Sequence, residues 1–207
     1  MLRTGFDEEI ELENLAGVHQ LVRLGETGST QSVAREIALA GGCENTLVLA
    51  ASQTQGRGRM EKIWESGPGG VYMTLILRPS SGLEYLSGLS LMAGEAVSET
   101  LAKTYGFKTR IKPPNDVYAF HPAKKKWMKI AGMLTESASS AGSPDWVLLG
   151  IGVNLNNKVS LNCAVSVREL LGRETALADF LKAFFINFRA RYSAWAYSSG
   201  SKTSRKV

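Results

Sequence analysis

Residues 108–155 read KTRIKPPNDVYAFHPAKKKWMKIAGMLTESASSAGSPDWVLLGIGVNL, and most of the strand pattern of the chain lies in this stretch. It contains four runs rich in β-forming residues, at Lys108–Lys112, Val117–Phe120, Lys129–Glu136 and Trp146–Leu155. Prolines 113 and 114 end the first run, and short segments rich in polar residues separate the others. This spacing predicts strands joined by turns and hairpins.

Further strands and helices flank this stretch. Additional strands are expected at His19–Leu24, Thr46–Ala50 and Val71–Leu77. Helices are expected from Ser29 or Thr30 to about Ala40, over Leu86–Tyr105 before Gly106, and over Leu177–Tyr192, because apolar residues recur there at helical spacing. Strands with interspersed helices, several of them in hairpins, predict an α+β fold with a mixed, mostly antiparallel sheet and flanking helices.

Length and composition limit the class of protein. The 207 residues suffice for one core domain, expected over residues 1–197, and the polar residues 198–207 are expected to form a disordered tail. With 44% hydrophobic and 21% charged residues, the composition is that of a globular protein. No apolar run is long enough for a membrane helix, and no secretory signal is visible. Two cysteines, Cys43 and Cys163, cannot build a disulfide scaffold, so a cytoplasmic location is expected.

Positive charge is concentrated in the middle of the chain. The net charge is +5, and residues 103–129 carry eight lysines and arginines against one acid, Asp116. Such a region suits an anionic ligand such as ATP, an acidic protein or a nucleic acid. A solvated surface without a partner explains the same charges.

Four short motifs carry candidate chemistry. In Gln53–Arg59, glycines allow a close backbone approach and arginines bind phosphate or carboxylate. The prolines in Lys112–Asp116 present an Asn-Asp pair stiffly, and its aspartate suits Mg²⁺. Lys129–Gly132 begins an apolar strand with a lysine, and Gly150–Asn156 places glycines within a strand. Singly, each motif is a weak signal that an ordinary loop, turn, surface lysine or packing glycine also explains, and for Lys112–Asp116 alone a plain turn is the favoured interpretation.

In this order, the four motifs resemble the catalytic domain of biotin protein ligases, from about Gly25 to Asn156. The resemblance implies a fold of the class II aminoacyl-tRNA synthetase and biotin ligase type. It implies that biotin is bound by Ser29, Thr30, Gln31, Gln53, Gly56, Arg57, Gly58, Arg59, Lys129, Gly132 and Gly152. It implies that ATP is bound by Arg59, Lys62, Trp64, Asn115, Asp116, Lys129 and Asn154. Lys129 and Arg59 are the implied catalytic residues, and Asp116 is the implied Mg²⁺ ligand.

The chain departs from the family pattern at several places. Met60-Glu61-Lys62 replaces a stretch in which the family has a glycine and a further arginine, and Pro113 stands where the family has a tryptophan. No helix-turn-helix precedes the motifs, so DNA binding is not expected, and no complete C-terminal β-barrel follows them.

The activity implied by the resemblance is a two-step ligation. Biotin and ATP form biotinyl-5′-AMP, and biotin then passes to a lysine of a biotin carboxyl carrier protein or domain. No membrane partner is expected, and a homodimer is left open. Two alternatives remain: a lipoate ligase or octanoyl transferase of the same superfamily, and a noncatalytic basic module that binds nucleic acid.

Overall fold

The computed structural model describes residues 9–79, 86–140 and 143–200. In these ranges, one seven-stranded sheet is flanked by α-helices. The strands are β1 (Gln20–Thr27), β2 (Thr46–Gln53), β3 (Val71–Leu77), β4 (Thr109–Lys112), β5 (Asp116–His121), β6 (Lys126–Ser140) and β7 (Ser143–Val153). The helices are α1 (Thr30–Leu39), α2 (Ser87–Tyr105), α3 (Val167–Leu171) and α4 (Leu177–Gly200), and a 3₁₀ turn covers Leu12–Asn14.

The sheet is mixed but mostly antiparallel, as the sequence predicts. The strand order is β1-β2-β3-β7-β6-β5-β4, and β1 with β2 is the parallel pair. Helix α1 makes the crossover between these two strands, which a parallel pair requires. The long pairing of β6 with β7 places Gly132 opposite Gly152 at the centre of the sheet.

The two faces of the sheet have different tasks. In β3, Met73 and Leu75 point into the main core, which α2 and α4 cover. Because side chains alternate along a strand, Tyr72 and Thr74 point to the opposite face. Part of that face is covered by α1, through a smaller apolar cluster that includes Ala34. The rest of it carries the candidate site.

The structure corrects several expected boundaries. β6 is longer than predicted at both ends, because its start pairs with β5 and its polar end pairs with the start of β7. β7 begins three residues before the predicted Trp146 but ends at Val153, two residues before the predicted Leu155. Helix α3 was not expected, since five residues are too few to show a period; the Ser166 hydroxyl caps it by accepting from the Glu169 backbone N–H.

Residues 198–200 belong to α4 and not to the expected disordered tail, so that expectation is wrong for these three residues. The Trp195 ring stacks on Tyr192, so the row of aromatic contacts along α4 continues past the predicted end of the helix at Tyr192. Residues 201–207, the rest of that expected tail, lie outside the described residues. No helix in the described ranges is both long and apolar enough to span a membrane.

Candidate functional site

A glycine platform forms the floor of the site. Gly132 of β6 and Gly150 and Gly152 of β7 face away from the main core, where larger side chains would fill the space. A Cβ built at Gly152 would lie 2.5 Å from the Trp64 indole, and one at Gly132 would lie 3.0 Å from it. A Cβ at Gly150 would lie 3.1 Å from the side chain of Gln31. The missing side chains therefore make room for Trp64 and Gln31.

The start of α1 brings polar groups to one end of this platform. The Thr30 backbone N–H and hydroxyl both donate to Gln53 Oε1, at 2.8 and 3.1 Å, and the Thr74 hydroxyl donates to Thr30 Oγ1 at 2.9 Å. Gln31 is 3% exposed, and its Oε1 and Nε2 have no hydrogen-bond partner within the described residues. Ser29 is the N-cap residue, but its side chain makes no capping hydrogen bond. Because an unpaired buried amide is costly, Gln31 is suited to a ligand that both donates and accepts.

The segment Gly56–Trp64 folds into a short hairpin over the platform. Its base is closed by the Trp64 N–H, which donates to the Gly56 carbonyl at 2.9 Å, and its tip by the Gly58 N–H, which donates to the Lys62 carbonyl at 2.7 Å. Met60 and Glu61 at the tip have φ values of 54° and 58°, a region that favours glycine. This is the place where the family pattern has a glycine.

A cation lies at the other end of the platform. Lys129 Nζ is 2.7 Å from Asp116 Oδ1, as an ion pair, and 5.1 Å from the centre of the Trp64 ring. Nearby, Arg59 donates to Asn115 Oδ1 at 3.2 Å. The side-chain NH₂ of Asn115 donates to the Met133 carbonyl at 3.0 Å, which fixes the position of Asn115. The arrangement brings the Gly56–Trp64 hairpin, the Pro-Pro-Asn-Asp turn and the head of β6 together around one positively charged corner.

These groups enclose a cleft of about 510 Å³. The cleft is lined by every site residue expected from the sequence except Gly56, namely Ser29, Thr30, Gln31, Gln53, Arg57, Gly58, Arg59, Lys62, Trp64, Asn115, Asp116, Lys129, Gly132, Gly152 and Asn154. Gly56 lies at the base of the hairpin, where its Cβ would come within 2.4 Å of Ser66 Oγ. A second depression, of about 920 Å³, lies on the other side of the hairpin, against Leu86 and the outer part of β6.

Sequence reasoning missed several side chains at the site. Thr74 is the single polar residue of the otherwise apolar or aromatic strand β3, and that exception was an available signal. Ser66, which is buried, accepts from Gln53 Nε2 at 2.9 Å, and no sequence pattern announces it. Tyr72 donates to the Gly67 carbonyl at 2.6 Å, and burial raises the pKa of its hydroxyl, so it stays protonated.

Two carboxylates line the cleft, those of Glu65 and Asp116. Glu65 accepts from the hydroxyl and backbone N–H of Ser160, so Asp116, beside Lys129, is the one better placed for a metal ion. Among residues 9–79, 86–140 and 143–200, no group of three or more His, Cys, Asp or Glu side chains is arranged to hold a metal. An Mg²⁺ that arrives with a nucleotide needs few protein ligands, because phosphate oxygens and waters fill most of its coordination sphere. The site therefore fits a metal that enters with the nucleotide and not a resident one.

The basic hairpin between β5 and β6 is partly neutralised. Lys124 Nζ pairs with Glu169 Oε1 of α3 at 2.7 Å, and His121 Nε2 lies 3.3 Å from the same oxygen. Lys125 and Lys126 are exposed beside this cluster. The expected basic surface thus exists, but one of its three lysines is engaged.

Comparison with known proteins agrees with this geometry. Residues 26–154 match the model of the biotin/lipoate A/B protein ligase family. The chain is 35% identical over 171 residues to the bifunctional ligase/repressor BirA of Bacillus subtilis, covering 79% of this chain and 51% of that protein. It is 37% identical over 134 residues to the biotin–[acetyl-CoA-carboxylase] ligase of Paracoccus denitrificans, covering 64% and 53%.

A solved structure shares the fold and carries ligands. The biotin protein ligase of Aquifex aeolicus in complex with biotin and ATP superposes with a TM-score of 0.73 at 28% identity, covering 87% of this chain and 73% of that one. The chain spans about half the length of the curated relatives it matches. Since the family match covers the cleft and more than half of the residues, this chain belongs to the biotin/lipoate A/B protein ligase family.

Proposed function

We propose that this chain is a biotin protein ligase, which activates biotin with ATP and transfers it to a lysine of a biotin carboxyl carrier protein or domain. The observation that carries the proposal is the polarity of the cleft: the unpaired Gln31 amide lies at one end and the Lys129 cation at the other. A ligand that fits has a ring with hydrogen-bond donors and acceptors, an apolar middle and a carboxylate. Biotin has these three parts in that order.

The ring end favours biotin over lipoate, the other acid that the family name includes. A cyclic urea offers N–H donors and a carbonyl acceptor to Gln31 and Thr30, both of which are 3% exposed. A dithiolane ring offers neither and would leave the Gln31 amide unpaired. Sites built from buried hydrogen-bonding groups reject analogues that lack the matching groups by large factors.

The cationic end supports the first chemical step. The biotin carboxylate attacks the α-phosphorus of ATP, the bond to the β-phosphate breaks, and pyrophosphate leaves. Two anions must approach each other, so Lys129 and Arg59 act by neutralising charge at the reacting oxygens. Trp64 is the aromatic surface available to the adenine, with Lys62 and Asn154 lining the same cleft. If ATP binds as its Mg²⁺ complex, Asp116 is the residue that would hold the ion, and the ion would neutralise charge on the phosphate oxygens.

The second step needs an acceptor and the exclusion of water. The amine of a carrier lysine attacks the acyl carbon of biotinyl-5′-AMP, an amide forms, and AMP leaves with loss of a proton from the amine. Because water would hydrolyse the mixed anhydride, the Gly56–Trp64 hairpin has the role of covering it. Exposed Lys125 and Lys126 suit an acidic carrier surface.

Cys43 and Cys163 are exposed and free, which supports the expected cytoplasmic location.

The test is ATP–pyrophosphate exchange measured separately with biotin and with lipoate. Exchange that depends on biotin, followed by labelling of a purified carrier domain, supports the proposal. Exchange with lipoate alone would assign the chain to the other branch of the family. Absence of exchange with either acid would contradict the activation step.

A further inference from the structure

A hydrogen-bonded chain connects the ring end of the cleft with the base of the covering hairpin. It runs from Thr74 through Thr30, Gln53 and Ser66 to the backbone of Trp64. Gln53 Nε2 donates to Ser66 Oγ at 2.9 Å, and Ser66 Oγ donates to the Trp64 carbonyl at 3.0 Å. At the other end, Gln53 Oε1 accepts from the N–H and the hydroxyl of Thr30. We refer to these five residues as the relay.

The direction of every hydrogen bond in the relay follows from two backbone groups, the Thr30 N–H and the Trp64 carbonyl. The Thr30 backbone N–H can only donate, so the oxygen of the Gln53 amide must face it and the NH₂ group must face Ser66. The Trp64 carbonyl can only accept, so the Ser66 proton points to it and the oxygen of Ser66 is left to accept from Gln53. Both ends impose the same orientation on the Gln53 amide.

This direction determines what Thr30 offers to a ligand. Its hydroxyl proton is used by Gln53, and one lone pair accepts from Thr74 at 2.9 Å. A single lone pair remains, so Thr30 can only accept from a group in the cleft. A ligand N–H satisfies it, and a carbonyl, sulfur or methylene does not.

The relay is packed tightly around Ser66. Ser66 is 6% exposed, Thr30 3% and Thr74 fully buried. A Cβ at Gly56 would lie 2.4 Å from Ser66 Oγ and 3.2 Å from Gln53 Nε2, so the hairpin backbone rests directly on these two groups. No room is left for Gln53 to find a different partner beside Gly56.

We propose that Ser66 is a positioning residue that performs two tasks with one hydroxyl group. By accepting from Gln53 it holds Thr30 as an acceptor of a ligand N–H, and by donating to Trp64 it fastens the base of the covering hairpin. The first task rests on the proposed function; the second does not. Ser66 is not among the residues that line the cleft, so it acts through Gln53 and Trp64.

Replacing Ser66 by alanine breaks both links. Gln53 Nε2 loses its acceptor and the Trp64 carbonyl loses its donor, and leaving such groups without a partner typically weakens an interaction about tenfold or more. The matched control is Thr74→Val, which has nearly the same shape and removes a hydrogen bond at the Thr30 end only. A second variant, Gln53→Glu, has acceptors at both ends, so Ser66 must turn its proton away from Trp64.

The experiment combines kinetics with limited proteolysis. Pyrophosphate exchange gives the KM for biotin and for ATP, and trypsin cleavage at Arg57, Arg59 and Lys62 of the ligand-free chain reports on the hairpin. For Ser66→Ala we expect about a tenfold or greater rise in the KM for biotin, a rise in the KM for ATP, little change in kcat, and faster cleavage. Thr74→Val should raise only the KM for biotin and be cleaved like the parent. Gln53→Glu should be cleaved faster, as Ser66→Ala is.

The outcomes separate this inference from the proposed function. Parent-like cleavage of both Ser66→Ala and Gln53→Glu overturns the fastening of the hairpin, whether or not the chain uses biotin. Parent-like KM for biotin in Ser66→Ala overturns the orienting role. A parent that shows no exchange with biotin refutes the proposed function and the orienting role with it, while the cleavage rates still decide the fastening role.

Discussion

Replacing Lys129 by alanine tests the centre of the proposed mechanism. Its Nζ lies 2.7 Å from Asp116 Oδ1 at the head of β6, and its side chain is 28% exposed and outside the main core. The variant is therefore expected to fold. It should lose most of the rate of pyrophosphate exchange with biotin and ATP.

Two effects contribute to the expected loss. Removing one preorganised cation from the reacting phosphate typically costs about 3 kcal/mol, or roughly a hundredfold in rate. In addition, Asp116 keeps its negative charge without a partner. At about 5 Å from a substrate anion and an effective dielectric constant of about 20, the repulsion is roughly 3 kcal/mol at most, and partial solvent access reduces it to about 1 kcal/mol. Together they predict roughly a thousandfold loss.

The two effects can be separated by a double-mutant cycle. Lys129→Ala combined with Asp116→Asn removes the repulsion while the cation is still missing. Because Asp116 is also the residue that would hold Mg²⁺, exchange is measured at saturating Mg²⁺, where it should recover about tenfold relative to Lys129→Ala alone. Lys129→Met, which keeps the length of the side chain, should behave like Lys129→Ala. Near-parental exchange by Lys129→Ala would refute the role of the lysine, and equal rates of the single and double variants would refute the repulsion by Asp116.

Three further predictions concern the hairpin, the platform and the basic surface. Trypsin should cut within Thr54–Lys62 in the free chain, because this stretch exposes basic residues and has few apolar anchors. Cleavage should slow when biotin and ATP are bound. Equal cleavage rates with and without the ligands would argue against closure of the hairpin over them. Gly152→Ala should displace Trp64, because the new Cβ would lie 2.5 Å from its indole. Since overpacking typically costs about 1–3 kcal/mol, ATP binding should weaken by roughly tenfold or more. Unchanged nucleotide affinity, measured by calorimetry, would contradict the placement of Trp64. Replacing Lys125 and Lys126 by glutamate should slow biotin transfer to the carrier at low salt and leave pyrophosphate exchange unchanged. Lys182→Glu on α4 is the control. Transfer as fast as in the parent would show that these lysines are a solvated surface.

Local patterns in the sequence predict the elements better than their partners. The apolar run of β3 predicts its bounds, Val71–Leu77, because every residue in it is buried. The lengths of β6 and β7 are not predictable in this way, because their outer pairs, such as Ser137 with Val147, depend on each other. The parallel pairing of β1 with β2 is likewise a property of the assembled sheet and not of either strand's residue pattern.

The candidate site shows the same division. Motif residues that leave room or carry charge, such as Gly152 and Lys129, are visible in the sequence, because a glycine within a strand and a lysine in an apolar strand are both uncommon. Ser66 and Thr74 are ordinary residue types whose importance comes only from the hydrogen bonds they make across 13 and 44 positions of sequence. The sequence marks Thr74 only as the one polar residue of an apolar strand, and the role of Ser66 becomes visible only when the chain is folded.

Trp64 links the occupancy of the cleft to the position of the hairpin. Its indole rests on Gly132 and Gly152, and its Nε1 is buried without a hydrogen-bond partner within the described residues. Leaving that donor unpaired costs about 1–3 kcal/mol, so the ligand-free position of the ring is less stable than its packing alone suggests. We therefore expect a ligand that fills the cleft beside this ring to favour a different position of Trp64, in which the indole N–H is paired. The hairpin should move with the ring, because the Trp64 backbone N–H donates to the Gly56 carbonyl at 2.9 Å.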